Sequence, residues 1–188
     1  MSAFEYFSVA LSFVLGLGVT RLLLGGVHVF RARRRQRVHW IPLVWAAGIF
    51  VYQIQFWWAL FELNEVLAAW THIAFVTLMA HALLLFVAGA LVLPTTDSHE
   101  RESLIGYFEG DGHWALLAIA VYAALSYWTN WALFGTSPLS SIGLIVAVSF
   151  VLPLGGFFVS NRTVNGALAA AYLVFVIYAY VVLAPAQY

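Results

Sequence analysis

Apolar runs separated by clusters of charged or turn residues recur along the whole chain, at about 4–30, 40–62, 66–93, 113–134, 138–160 and 164–184. Each reaches the roughly 20 residues that a helix needs to cross the hydrocarbon core of a bilayer. The pattern predicts an all-α integral membrane protein, a single six-helix transmembrane bundle over residues 1–188 with no separate soluble domain. The start, MSAFEYF, lacks the positive n-region and small-residue cleavage site of a signal peptide, so the first run is expected to stay in the mature chain.

The connections give an orientation. The first, RARRRQR, holds Arg31, Arg33, Arg34, Arg35 and Arg37; the third, Pro94 to Gly112, holds Arg101; the fifth, SNRTVN, holds Arg162. Seven of the eight arginines thus fall on one side of the predicted membrane. Positive charge is retained in the cytoplasm, so that side is expected inside, and an even number of spans puts both termini on the non-cytoplasmic side. Connections two and four, Leu63 to Glu65 and Gly135 to Ser137, are short and predict antiparallel neighbours. Trp40 and Trp114 open the second and fourth runs, while Trp57, Trp58, Trp70, Trp128 and Trp131 gather near the opposite ends, as interfacial aromatic belts do. The second and fourth runs also resemble each other: His39-Trp40 leads to Trp58-Ala-Leu-Phe61, and His113-Trp114 to Trp131-Ala-Leu-Phe134.

Composition agrees with a membrane setting: 64% of residues are hydrophobic and 9% charged, at a mean hydropathy of +0.93, against about 25% charged in soluble domains. It also excludes chemistry. With no cysteine there is no disulfide, thiolate metal site or iron–sulfur cluster. All eight basic residues are arginines, and without lysine neither retinal nor pyridoxal phosphate can be held as a Schiff base. No cofactor or metal is expected, nor nucleic acid as a partner.

A few polar residues interrupt the apolar runs. Arg21 lies about nine residues, roughly 13 Å, before the basic loop, where a cation costs about 2.5–3.5 kcal/mol even on lenient scales. Steps of seven lead from it to His28 and Arg35, with Gly18 and Gly25 close in azimuth and Arg31 further round. That side suits an anionic ligand or lipid headgroup, with snorkelling of Arg21 to the interface as the plainer account. No carboxylate is expected at its depth. His72 and His81 are nine residues apart and so on opposite helix faces, unable to share a metal or haem iron. His81, with Ala74, Thr77 and Ala88, is expected to face inward. Gln55 and Glu62 lie seven apart, and with Asn130 they are expected to line an outward-opening polar vestibule. Pro153, Gly155 and Gly156 predict a kink in the fifth run. Five acids in the third connection, Asp97, Glu100, Glu102, Glu109 and Asp111, are expected to pair with the first-loop arginines.

The segment VLGLGVTRLL and the QFWW stretch resemble those of small bacterial membrane proteins, which implies a multi-pass inner-membrane location. The reading that follows is a channel or transporter for an ion or small molecule, with Arg21, Gln55, Glu62, His81 and Asn130 along its path. The alternative is a non-catalytic accessory or lipid-binding subunit that uses Arg21, His28, Arg31 and Arg35 on anionic headgroups. An enzyme is disfavoured. In either case the bilayer is a partner, and a homo-oligomer or partner membrane subunits are expected.

Overall fold

The computed structural model describes residues 3–35, 37–66, 71–95 and 103–183, the side chains of 3, 61–66 and 182–183 excepted. Its described residues form helices only: α1 (Ala3–Ala32), α2 (Trp40–Val66), α3 (His72–Leu91), a short α4 (Leu104–Tyr107) running into a π-helical turn (Phe108–Gly112), α5 (Trp114–Ala132), α6 (Ser141–Phe158) and α7 (Arg162–Leu183). Helices α1, α2, α3, α6 and α7 are long and apolar enough to cross a membrane. The apolar run read at 113–134 yields a helix of similar length, but Ser126, Thr129 and Asn130, between aromatic residues, make the second half of α5 more polar.

Two boundaries differ from the sequence reading. Leu63 to Glu65, expected as a connection, continue α2 to Val66, because charge at a helix end breaks no backbone hydrogen bond. The next helix starts late, at His72, where Thr71 in extended conformation accepts a hydrogen bond on its hydroxyl from the Ala74 amide at 3.2 Å. The stretch read as a loop from Pro94 to Gly112 contains structure from Ser103 onward. Ser103 caps α4, and Leu104, Ile105, Tyr107 and Phe108 are buried, so this end of the bundle is covered by an apolar turn. The Tyr107 hydroxyl donates to the Leu91 carbonyl at 2.8 Å and ties the turn to the end of α3.

The six long helices close into a ring: α1 packs on α3, α3 on α5, α5 on α6, α6 on α7, α7 on α2 and α2 back on α1. The expected α5–α6 neighbours share an extensive interface, while α2 and α3 touch less. Between α5 and α6 the chain turns at Gly135, whose φ of 62° only glycine adopts freely, and Ser140 caps α6. Pro153 lies inside α6, which continues through it to Phe158.

The ring is filled rather than hollow. Trp45 stacks obliquely on Tyr172 at 5.0 Å, Tyr172 on Tyr52 at 6.0 Å, and Tyr52 meets Tyr122 edge-on at 5.5 Å. Tyr122 in turn meets His81 at 5.3 Å, and His81 stacks on Phe56 at 5.9 Å. One chain of rings therefore joins α2, α3, α5 and α7. Helices α1 and α3 come close at Gly18 and Gly89. A methyl group on Gly89 would lie 2.8 Å from the Gln53 side-chain nitrogen and 3.3 Å from the Gly18 carbonyl oxygen.

That crossing makes a testable point. Replacement Gly89→Val overfills it and should cost about 1–3 kcal/mol, read as a lower midpoint when the protein in mixed micelles is titrated with dodecyl sulfate. An unchanged midpoint would show that α1 and α3 do not meet in this register.

Candidate functional site

The residues singled out above lie in three places. On α1, Arg21, His28, Arg31, Arg34 and Arg35 line one cavity of about 540 Å³, with Leu24, Val27, Ala32 and Thr95. The helix makes this possible: 21, 28 and 35 repeat every two turns, and Gly25 brings α1 against Leu93, whose Cβ a methyl group would meet at 2.8 Å. Arg21 is half-buried and lines a second cavity of about 480 Å³, with Tyr107, Asp111 and Trp114. A carboxylate thus shares a cavity with Arg21. The π-helical turn brings the exposed Asp111 there, although it is 90 residues away along the chain. Burial and the Asp111 charge push the Tyr107 hydroxyl above its ordinary pKa, while the Arg21 charge opposes them.

The second place is at the other end of the ring, where Gln55 and Asn130 line a cavity of about 170 Å³ with Tyr52, Tyr122, Ser126 and Ser149. Asn130 donates to the Ser126 carbonyl at 2.8 Å, and the Tyr52 hydroxyl donates to Ser149 Oγ at 2.5 Å. Gln55 Oε1 is buried without a hydrogen-bond partner. The side chain of Glu62, placed in the same vestibule by the sequence reading, lies outside the described residues, as do Arg101 and the acids Asp97, Glu100 and Glu102.

His81 occupies the third place, in the aromatic interior. It is 3% exposed, and its Nδ1 donates to the Thr77 carbonyl at 2.8 Å. His72 is exposed at the start of α3, so the two histidines point apart. No residue lines both the Arg21 cavities and the Gln55–Asn130 cavity. Among the described residues, no three histidines or carboxylates gather as metal ligands would.

Comparison with protein families, with curated proteins and with solved structures finds no match.

The structure adds a fourth location. At the end where α2 and α7 begin, a cavity of about 410 Å³ is lined by Ile41, Phe108, Glu109, His113, Phe157 and Arg162, among others. Arg162 donates to both oxygens of Glu109, at 2.5 and 2.8 Å. Glu109 therefore pairs with the fifth connection, not with the arginines of the first. The bond from Arg162 holds the Glu109 carboxyl below its ordinary pKa. Its contribution to stability is thus present at neutral pH and is lost as the pH falls through that lowered value.

Behind the pair, Asn165 accepts from the Trp45 indole nitrogen at 2.9 Å and donates to the Gly156 carbonyl at 2.8 Å. Neither this pair nor Gln53, which is fully buried and donates to the Leu85 carbonyl at 3.1 Å, was singled out from sequence. A signal existed for Gln53: residues 45, 49, 52, 53, 56 and 60 form one helical stripe, of which Gln53 is the polar member.

Two outcomes follow from the Asn165 bridge and the ion pair. Asn165→Ala strands a buried indole N–H and a buried carbonyl, and should cost about 1–3 kcal/mol for each group left unmet, measured by the same micellar unfolding titration. Glu109→Gln should flatten the acid limb of the stability–pH profile; retention of that limb would assign it to another carboxylate.

Proposed function

We propose that the protein is a non-catalytic, multi-pass membrane protein that binds the anionic headgroup of a lipid through the cationic face of α1. The observation that carries this reading is the convergence of Arg21, His28, Arg31 and Arg35, with Arg34, on one cavity. Guanidinium groups bind phosphate through paired, charge-assisted hydrogen bonds, and an arginine set back from the interface draws such a group toward the bundle. The filled aromatic interior favours a binding role over a pore.

In this reading all six long helices span the bilayer, α5 being the polar member held between α3 and α6. Arginine asymmetry supports an inner-membrane orientation with the basic loop in the cytoplasm and both termini outside. The outer flank of α1 exposes Tyr6, Val9, Phe13, Leu24 and Phe30, an apolar surface suited to lipid, to a second copy or to a larger membrane partner.

A transport reading stands second, on one observation: Gln55 Oε1 lacks a partner beside a cavity shared with Asn130. The two readings separate experimentally. In nanodiscs containing a labelled phosphatidylglycerol, Arg21→Gln should weaken association of that lipid about tenfold, some 1.4 kcal/mol, and leave a zwitterionic lipid unaffected. Equal association in both proteins would remove the lipid reading. Solute flux into proteoliposomes that is lost in Asn130→Leu would put transport ahead.

A further inference from the structure

The cavity beside the Glu109–Arg162 pair has no part in the function just proposed. We propose that it binds a quinone-type lipid headgroup, with the ring oxygen on His113.

Besides His113, four polar side chains line it: Glu109, Arg162, Asn165 and Ser160, the last exposed just beyond α6. Glu109 and Arg162 are joined by two hydrogen bonds, so the mouth offers no uncompensated charge and favours a neutral ligand. Asn165 has both ends of its amide engaged, by Trp45 and by Gly156. His113 is different: it lines the cavity, and its Nδ1 is buried with no hydrogen-bond partner. A buried polar atom left unmet is costly, and imidazole can meet either form of one ligand pair. Its N–H donates to a quinone carbonyl, and its bare nitrogen accepts from a quinol hydroxyl.

The walls suit a flat ring. The Phe157 ring lies 5.1 Å from His113 with planes 29° apart, and Phe108, Ile41 and Ile105 close the remaining sides. At about 410 Å³ the space is within the range of small-molecule sites, roughly 300–1,000 Å³. An exposed apolar surface that could take a hydrophobic tail begins beside one of the lining residues. Next to Phe157, the exposed Phe158 starts a stripe that continues seven and fourteen residues back through Val151 and Leu144 along α6. A polyprenyl chain laid there would remain in contact with apolar side chains.

Titration of the full-length protein in detergent with decylubiquinone, followed by tryptophan fluorescence, tests the assignment, because Trp45 is bonded to Asn165 and Trp114 packs on His113 and Phe157, all three of them lining residues. Saturable quenching is expected, weakened at least tenfold in His113→Ala, nearly unchanged in His113→Gln, and unaffected by Arg21→Gln. Ile105→Trp enlarges a second lining side chain, leaves the imidazole itself unchanged and should abolish saturation. Should His113→Ala fail to fold, the Gln and Trp variants decide the matter. Non-saturable quenching, equal competition by decanol, or full affinity in Ile105→Trp would overturn the proposal.

Discussion

The ring of helices depends on the way α2 lays its aromatic ridge into the middle of the bundle. Trp45, Tyr52 and Phe56 project from one face of that helix, and Tyr172 from α7, Tyr122 from α5 and His81 from α3 lock between them. Gly48 makes the contact with α7 possible, since a methyl group there would stand 2.7 Å from the Tyr172 ring. Lipid supplies no hydrophobic drive for helices to associate, so close packing and shared hydrogen bonds must hold them. A ridge of large flat rings seated on small residues meets that requirement. It also uses the centre of the bundle for cohesion, which displaces ligand chemistry to the two ends.

Polar groups follow the same logic. Ser149, Thr129 and Asn130 each return a hydrogen bond to a carbonyl one turn earlier in their own helix, a bond that needs no neighbouring helix and no water. Gln53 and Asn165 instead reach across, from α2 to α3 and from α7 to α6 and α2. These two act as cross-braces. They sit at points where small residues, Gly89 and Gly156, let the backbones come close.

Much of this architecture was legible in the order of apolar and polar residues. Helix positions followed from run length, the inward turn of His81 from the small residues sharing its face, and the gathering of cations on α1 from the spacing of Arg21, His28 and Arg35. What escaped was anything depending on contacts between distant segments. The apolar stretch Leu104 to Phe108 reads as part of an acidic loop until its burial is seen. Asp111 comes to line a cavity with Arg21, and Glu109 pairs with Arg162, only because that stretch folds back under the bundle. Gln55 drew notice as an inward polar residue, whereas Gln53, one helical turn from Ile49 and at the edge of the stripe that carries Tyr52 and Phe56, is the one fully enclosed. A two-residue displacement on a helix is 200° of rotation, enough to exchange one neighbour for another.

Helix length adds a property of a different kind. Thirty residues in α1 rise about 45 Å and eighteen in α6 about 27 Å, and the ring places α1 and α2 together on one flank and α5 and α6 on the other. Bilayers deform to match the apolar height they surround, at a modest cost per ångström. If the bundle spans a bilayer as proposed, lipid along the α5–α6 flank would be drawn thinner than along α1, and the protein would carry a gradient of membrane thickness around its own circumference. Short-chain lipids and neighbours with short spans would collect on the thin side. The molecule would thereby sort its surroundings by height alone.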